Sequence, residues 1–192
     1  MKPVRYTYDT EFVDDGHSIE LISIGIVCID DGREYYAVNR NLNTKRVREH
    51  PWLSENVLPH LPTRYNDQHD LITIDYEDPI VKYKPVIAAE VHEFLCMEDG
   101  RDPADRSQRE LWAYFASYDH VALAQLWGPM SALPGGIPMF TRDIKDWAIR
   151  LGDPELPKQT GQAHNALDDA RHNVVVMHWL KEHGYRLIMR AK

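Results

Sequence analysis

Cysteine, positive charge and long apolar runs are all scarce in this chain of 192 residues. The two cysteines, Cys28 and Cys96, each lie inside an apolar run, with no CxxC spacing and no histidine at zinc-ligand distance. That excludes a thiolate zinc site and predicts two reduced core residues, as suits a cytoplasm. No apolar run approaches the roughly 20 residues of a membrane span, and no charged-then-apolar stretch resembles a signal peptide. The expectation is a soluble, cytoplasmic protein with no membrane partner. Lysine and arginine number 22 against 30 acids, a net charge of −8. A deficit of that size argues against a long basic track for nucleic acid. No internal repeat or low-complexity segment occurs.

Hydrophobic content is 43%, enough for a core at this length, and one domain over residues 1–192 is expected. The pattern is α/β. Residues 4–9, Leu21–Cys28 and Glu34–Val38 read as three strands, with Asp30-Asp31-Gly32 as a tight turn between the last two. Short connections imply an antiparallel start to the sheet. A polar stretch with Lys45, Arg46 and Arg48 leads into a helix from Pro51 to Leu61, whose apolar face would be Trp52, Leu53, Val57 and Leu61. Residues 63–85 read as an irregular insertion. Helix returns at Val86–Met97, a strand at Leu111–Tyr118 and a helix from near Asp119. Pro134-Gly135-Gly136 is a turn, and helices are predicted at Arg142–Leu151 and Ala166–His183.

Within this pattern the acids are oddly placed. Asp9 and Glu11 interrupt an apolar strand, Val4 to Phe12, where two carboxylates repel each other unless a cation offsets them. An exposed strand end would explain them equally well. Asp119 sits at a strand-to-helix junction, where capping is an ordinary role for Asp. Near residue 165, His164, Asp168 and Asp169 fall within a turn and a half, just ahead of a long striped helix. A buried stripe of Ala166, Ala170, Asn173, Val174, Met177 and Leu180 puts Asp169 on its flank and Asp168 near Arg171 and His172. A rotation of the helix would exchange the two acids.

Taken together, an Asp-x-Glu on the first strand, an Asp at a later strand-to-helix junction, and a His followed five residues on by an Asp resemble the DEDDh 3'-5' exonucleases. Ribonuclease T, oligoribonuclease and the polymerase proofreading subunits are of this kind. Asp9-Thr10-Glu11-Phe12 with Gly16, the run from Ile19 to Gly25, and the segment from Trp52 to His60 look more narrowly like bacterial and phage exoribonucleases of the mycobacterial polyadenylate-specific type. The resemblance implies a ribonuclease-H-like fold, a mixed central sheet of about five strands flanked by helices. It also implies two Mg²⁺ ions, replaceable by Mn²⁺, held by Asp9, Glu11, Asp119 and Asp169, with His164 as general base. Two such ions add four positive charges where a phosphate must sit, which reconciles an acidic chain with RNA.

What the resemblance implies is RNA with a free 3' end as substrate, with a preference for adenosine-rich tails or 3' overhangs, 5'-nucleoside monophosphates as products, and a homodimer. Thr10 and Phe12 would contact the terminal nucleotide, Ser23 or Gly25 would lie beneath it, and Trp112 would line the pocket. For Phe12 and Trp112 core packing is an equal alternative. Lys45, Arg46 and Arg48 would meet phosphates or form a solvated loop. Two other functions stay open on the same residues: a 3'-5' DNA exonuclease, and a nucleic-acid-binding module without turnover.

Overall fold

The computed structural model describes residues 2–66, 71–97 and 101–190. Strand β1 (Val4–Asp14) and strand β2 (Ile19–Cys28), rich in β-branched and aromatic residues, pair antiparallel, and strand β3 (Glu34–Asn39) follows antiparallel on β2. The turn after β2 is tight as expected, with Gly32 at φ +77°. Helices α1 (Thr44–Glu49) and α2 (Pro51–Asn56) come next, then a hairpin of β4 (Thr63–Asn66) and β5 (Leu71–Ile74), and a short strand β6 (Val81–Lys82). Helix α3 (Lys84–Cys96), strand β7 (Arg109–Ala113), helix α4 (Ser117–Ala124), strand β8 (Arg142–Asp143), helix α5 (Ile144–Arg150) and helix α6 (Ala166–Arg190) complete the chain.

The central sheet has the order β6-β3-β2-β1-β7-β8 and mixes both senses: β6 on β3, β7 on β1, and β8 on β7 are parallel. The fold class is therefore mixed α/β, with six strands where about five were expected. The two edge strands span two residues each, too short to leave an alternating pattern. For the same reason residues 142–143, read as the start of a helix, are strand, and α5 begins only after Asp143, whose side chain caps it by accepting from Lys145 and Asp146. Residues 63–85, read as irregular, hold the β4–β5 hairpin, β6 and the start of α3. The polar stretch at 44–49 is helical.

Strand alternation sorts the β1 side chains. Tyr6 and Tyr8 point into a core shared with Ile24 and Ile26 of β2, with Ile87, Val91, Phe94 and Leu95 of α3, and with Ala122 and Leu123 of α4. The odd-numbered residues face α6. There Thr7 Oγ1 donates to the Ala170 carbonyl at 2.9 Å, and Asn173 Nδ2 donates to the Tyr8 carbonyl at 3.4 Å. Among the described residues of α6, Ala166, Ala170, Asn173, Val176, Met177, Leu180 and Gly184 are buried. Val176 takes the place expected of Val174. Ile144 and Ala148 of α5 pack on the same stripe. Both cysteines are buried and free. Among the described residues no helix is long and apolar enough to cross a membrane.

Gly25 of β2 sets how closely α6 lies on the sheet. A Cβ there would fall inside the backbone of Ala166 and Leu167, a collision no rotamer change relieves. Gly25→Ala should therefore cost about 1–3 kcal/mol or more, lowering the melting temperature by roughly 2–4 °C for each kcal/mol in a domain of this size. A melting temperature within a degree of the parent would refute the contact.

Candidate active site

The site is built where β7 stops accompanying β1. The two strands pair only from Val4 to Thr7. Beyond that the chain leaves β7 through a turn in which Phe115 adopts a left-handed φ of +56°, and enters α4. Thr10, on the stretch of β1 that β7 no longer covers, gives its backbone N–H to Asp119 Oδ1 at 2.9 Å and its hydroxyl to the same oxygen at 2.7 Å. Asp119 thus sits in the first turn of α4 and serves no cap; the α4 N-cap position is Ala116, which makes no side-chain cap. Its buried carboxylate fills the space of a missing strand neighbour.

On the α6 side of β1, Asp9 lies opposite Gly25 and Glu11 opposite Ser23, before a register shift between Glu11 and Phe12. The start of α6 lies over this row because Gly25 allows it. Asp169, in the first turn of α6, accepts from Gln159 Nε2 at 2.6 Å and from the His164 backbone N–H at 3.0 Å. Asp168 turns away and pairs with Arg171 at 2.7 Å, while Arg171 also holds Glu34. One ligand atom from each of Glu11, His164 and Asp169 lies within 4.8 Å of the others. A cavity of about 350 Å³ opens here, lined by Asp9, Tyr114, Gln159, His164, Asp169, His172 and their neighbours.

These acids perturb one another. Burial, then Asp169 and Asp119, pushes Glu11 up to about 8. Asp9 is raised well above the usual carboxylate range by burial first, then by Asp119, Glu11 and Asp169. Burial raises Asp119 to about 6 against the opposing Thr10 hydrogen bonds. Asp169 is also raised by burial, with Gln159 and the His164 N–H working the other way. Asp119 and Asp169 thus have protein donors. Among the described residues Asp9 and Glu11 have none, and neither is a sealed orphan. Open hard oxygens with no thiolate among them fit Mg²⁺ or Mn²⁺.

Other expected residues are placed differently. Ser23 has no exposed surface, so it cannot touch a nucleotide directly. Trp112 packs against Trp147, 5.5 Å between ring centroids, and donates to Glu110; it does not line the cavity. Two residues on, in the turn that follows β7, Tyr114 does. Phe12 stacks on Tyr118, which is 53% exposed, at 5.9 Å and 13°. Of the basic cluster, Arg46 is tied to Asp15 and Glu20, Arg48 to Thr44 and the Ile72 carbonyl, and Lys45 to Glu49. Sequence reasoning missed Gln159, Tyr114 and the contact of Trp52 with the His164 ring, 4.8 Å apart and edge-on. Trp52 was expected on a buried helix face but is 46% exposed. Period alone carried no signal for that contact.

A family described as the 3'-5' exoribonuclease Rv2179c-like domain matches residues 4–180. Two curated Mycobacterium tuberculosis proteins, the 3'-5' exoribonuclease Rv2179c of strain H37Rv and its counterpart in strain CDC 1551 / Oshkosh, are each 44% identical over 168 residues, 88% of this chain and 88% of theirs. A solved structure of the yeast NOT1 MIF4G domain co-crystallized with CAF1 is similar at a TM-score of 0.48 and 12% identity, over 94% of this chain and 80% of that one.

The crowded acids predict how stability depends on pH. Glu11 rises from an ordinary 4.5 to about 8 and Asp119 from 3.8 to about 6, so the fold favours their protonated forms. That contribution is complete below the unfolded values and disappears as pH climbs through the folded ones. EDTA-treated protein should therefore melt at progressively lower temperature between pH 5 and pH 8. Added Mn²⁺ should raise the melting temperature more at pH 8 than at pH 6, and Glu11→Gln should flatten both trends. A cation effect independent of pH would contradict the electrostatic account.

Proposed function

Because the chain belongs to the Rv2179c-like 3'-5' exoribonuclease domain family, we propose that it removes nucleotides from RNA with a free 3' end by metal-dependent hydrolysis. The observation that carries this reading is the convergence of Asp9 and Glu11 from β1, Asp119 from α4, His164 from the turn before α6 and Asp169 from its first turn, four carboxylates raised together and two of them without a donor among the described residues. On this reading the fold is ribonuclease-H-like, the site is of the DEDDh type, and the chain works as one domain within a homodimer in the cytoplasm. Products are 5'-nucleoside monophosphates, and adenosine-rich tails or 3' overhangs are the preferred substrates.

Asp9, Glu11, Asp119 and Asp169 would hold two Mg²⁺ ions, with Mn²⁺ able to substitute. When bound, the ions lower the pKa of the attacking water and stabilise the leaving 3' oxygen. Thr10 fixes Asp119 by two hydrogen bonds, so that carboxylate keeps its direction while substrate comes and goes. Gln159 and the His164 N–H fix Asp169 in the same way. His164 takes the proton of the water. Histidine is the side chain most often used as a general base, and the ring of His164 lies beside Glu11 and Asp169. Phe12, stacked on exposed Tyr118, offers an aromatic face to a terminal base, a contact worth about 1–3 kcal/mol per base.

The test uses 5'-labelled RNA and DNA, blunt and with 3' overhangs, in Mg²⁺, Mn²⁺ or EDTA. A metal-dependent RNA ladder shortened from the 3' end is expected, absent with Asp9→Ala; poly(A) should be shortened faster than other homopolymers. Internal cuts, cleavage of DNA alone, or no cleavage would overturn the reading. His164→Ala should lose about 10²- to 10⁴-fold in turnover while binding Mn²⁺ and RNA as the parent does. Equal loss of cation binding would make His164 a ligand instead of a base.

A further inference from the structure

Two hydroxyls beneath the acidic rim lack a well-formed partner among the described residues. Ser23 Oγ and Tyr36 OH are both sealed from solvent and complete no hydrogen bond there, although Ser23 and Asn165 both lie near enough to the Tyr36 hydroxyl to influence it. An unsatisfied buried hydroxyl costs stability; Ser23→Ala and Tyr36→Phe would fill nearly the same space without that cost. Both lie on the sheet face that carries Asp9 and Glu11. In the antiparallel register Ser23 is directly opposite Glu11, while Tyr36 of β3 is opposite Gly25, one row along. Side chains directly opposite in such a pair have Cβ atoms about 4.5–5.5 Å apart. Glu11, in turn, accepts no hydrogen bond from any described residue. Asn165, whose Oδ1 accepts from the Leu167 and Asp168 N–H groups at the start of α6, also lies near the Tyr36 hydroxyl.

The geometry points to Ser23 and Tyr36 as positioning residues for Glu11: the Tyr36 hydroxyl donates to Ser23 Oγ, and Ser23 donates to the Glu11 carboxylate when a divalent cation is drawn to its outer oxygen. The inference rests on the metal-dependent reading above. Tyr36, pushed up to about 12 mainly by burial, stays a protonated donor at working pH. The chain of hydroxyls would tie the α6 start, through Asn165, to an acid of β1, and it gives two orphan groups a use that packing does not.

Ser23→Ala and Tyr36→Phe separate this role from a structural one, because the two make opposite demands on stability. Without cation, both variants should melt at or above the parent temperature, since each removes an orphan. In calorimetric titration with Mn²⁺ both should bind about tenfold more weakly, and the double variant no more weakly than the worse single one, because the two act in one chain. Ultraviolet difference absorption should show a tyrosine signal when Mn²⁺ is added to the parent, and lose it in Tyr36→Phe. Variants that bind Mn²⁺ within twofold of a parent that itself binds Mn²⁺ and shortens RNA would overturn the inference alone. Affinity lost only in step with melting temperature would also overturn it. A parent that binds no Mn²⁺ would bring down the metal-dependent reading and this inference with it.

Discussion

Mutual repulsion among four carboxylates is the constraint that the rest of the structure accommodates. Asp9 and Glu11 come from one strand, Asp119 from a helix on one side and Asp169 from a helix on the other, so no single element could relieve the crowding by moving. The chain opposes the repulsion locally. Thr10 gives two donors to Asp119, and Gln159 with the His164 N–H gives two to Asp169. Hydrogen bonds to the charged form lower a carboxylate pKa, yet both groups remain raised, so burial outweighs them. Asp9 and Glu11 lack even that relief. Such a cluster is a stability deficit unless cations are drawn to it, and two divalent ions would balance four acids.

Holding the acids against their repulsion falls to the α6–β1 interface. Thr7 donates to the Ala170 carbonyl and Asn173 to the Tyr8 carbonyl across the two elements, and Gly25 lets the helix backbone rest on the sheet. The surface charges are committed elsewhere. Arg171 bridges Glu34 and Asp168, Arg46 bridges Asp15 and Glu20, and Arg5 holds Asp30. Exposed ion pairs contribute little individually, but each also withdraws a guanidinium that could otherwise draw a polyanion along the surface. On the proposed metal-dependent reading, attraction for a phosphate would be concentrated at the rim and the footprint would be short, consistent with a net charge of −8.

What the sequence disclosed depended on period. β1, β2, β3, α3 and α6 run long enough for apolar spacing to speak, and the acids stood out because they broke that spacing. Helical phase separated Asp168 from Asp169, and the Arg171 contact with Asp168 agrees with it. Two-residue strands leave no pattern, so β6 and β8 were invisible, and residues 44–49 looked like loop because only Val47 is buried there. Thr10 and Gln159 matter through partners 109 and 10 residues away, which no local window connects. Trp112 illustrates the same limit: it lies inside β7, but the residue of this segment that reaches the cavity is Tyr114, in the turn just past the strand end.

The conformation of His164 follows from the same interface. Its φ of +65° is unfavourable for a residue with a Cβ, by roughly 1–2 kcal/mol. The hydrogen bond from its own N–H to Asp169 holds it there, and Trp52 meets its ring edge-on. An extended backbone at 164 would swing that N–H off Asp169, so one backbone angle fixes the carboxylate and sets where the imidazole stands. The acid and the histidine five residues before it thus behave as one unit anchored to the first turn of α6. That coupling gives a physical reason for their spacing: a shorter connection could not return the 164 backbone to the carboxylate, and a longer one would leave the ring free of it.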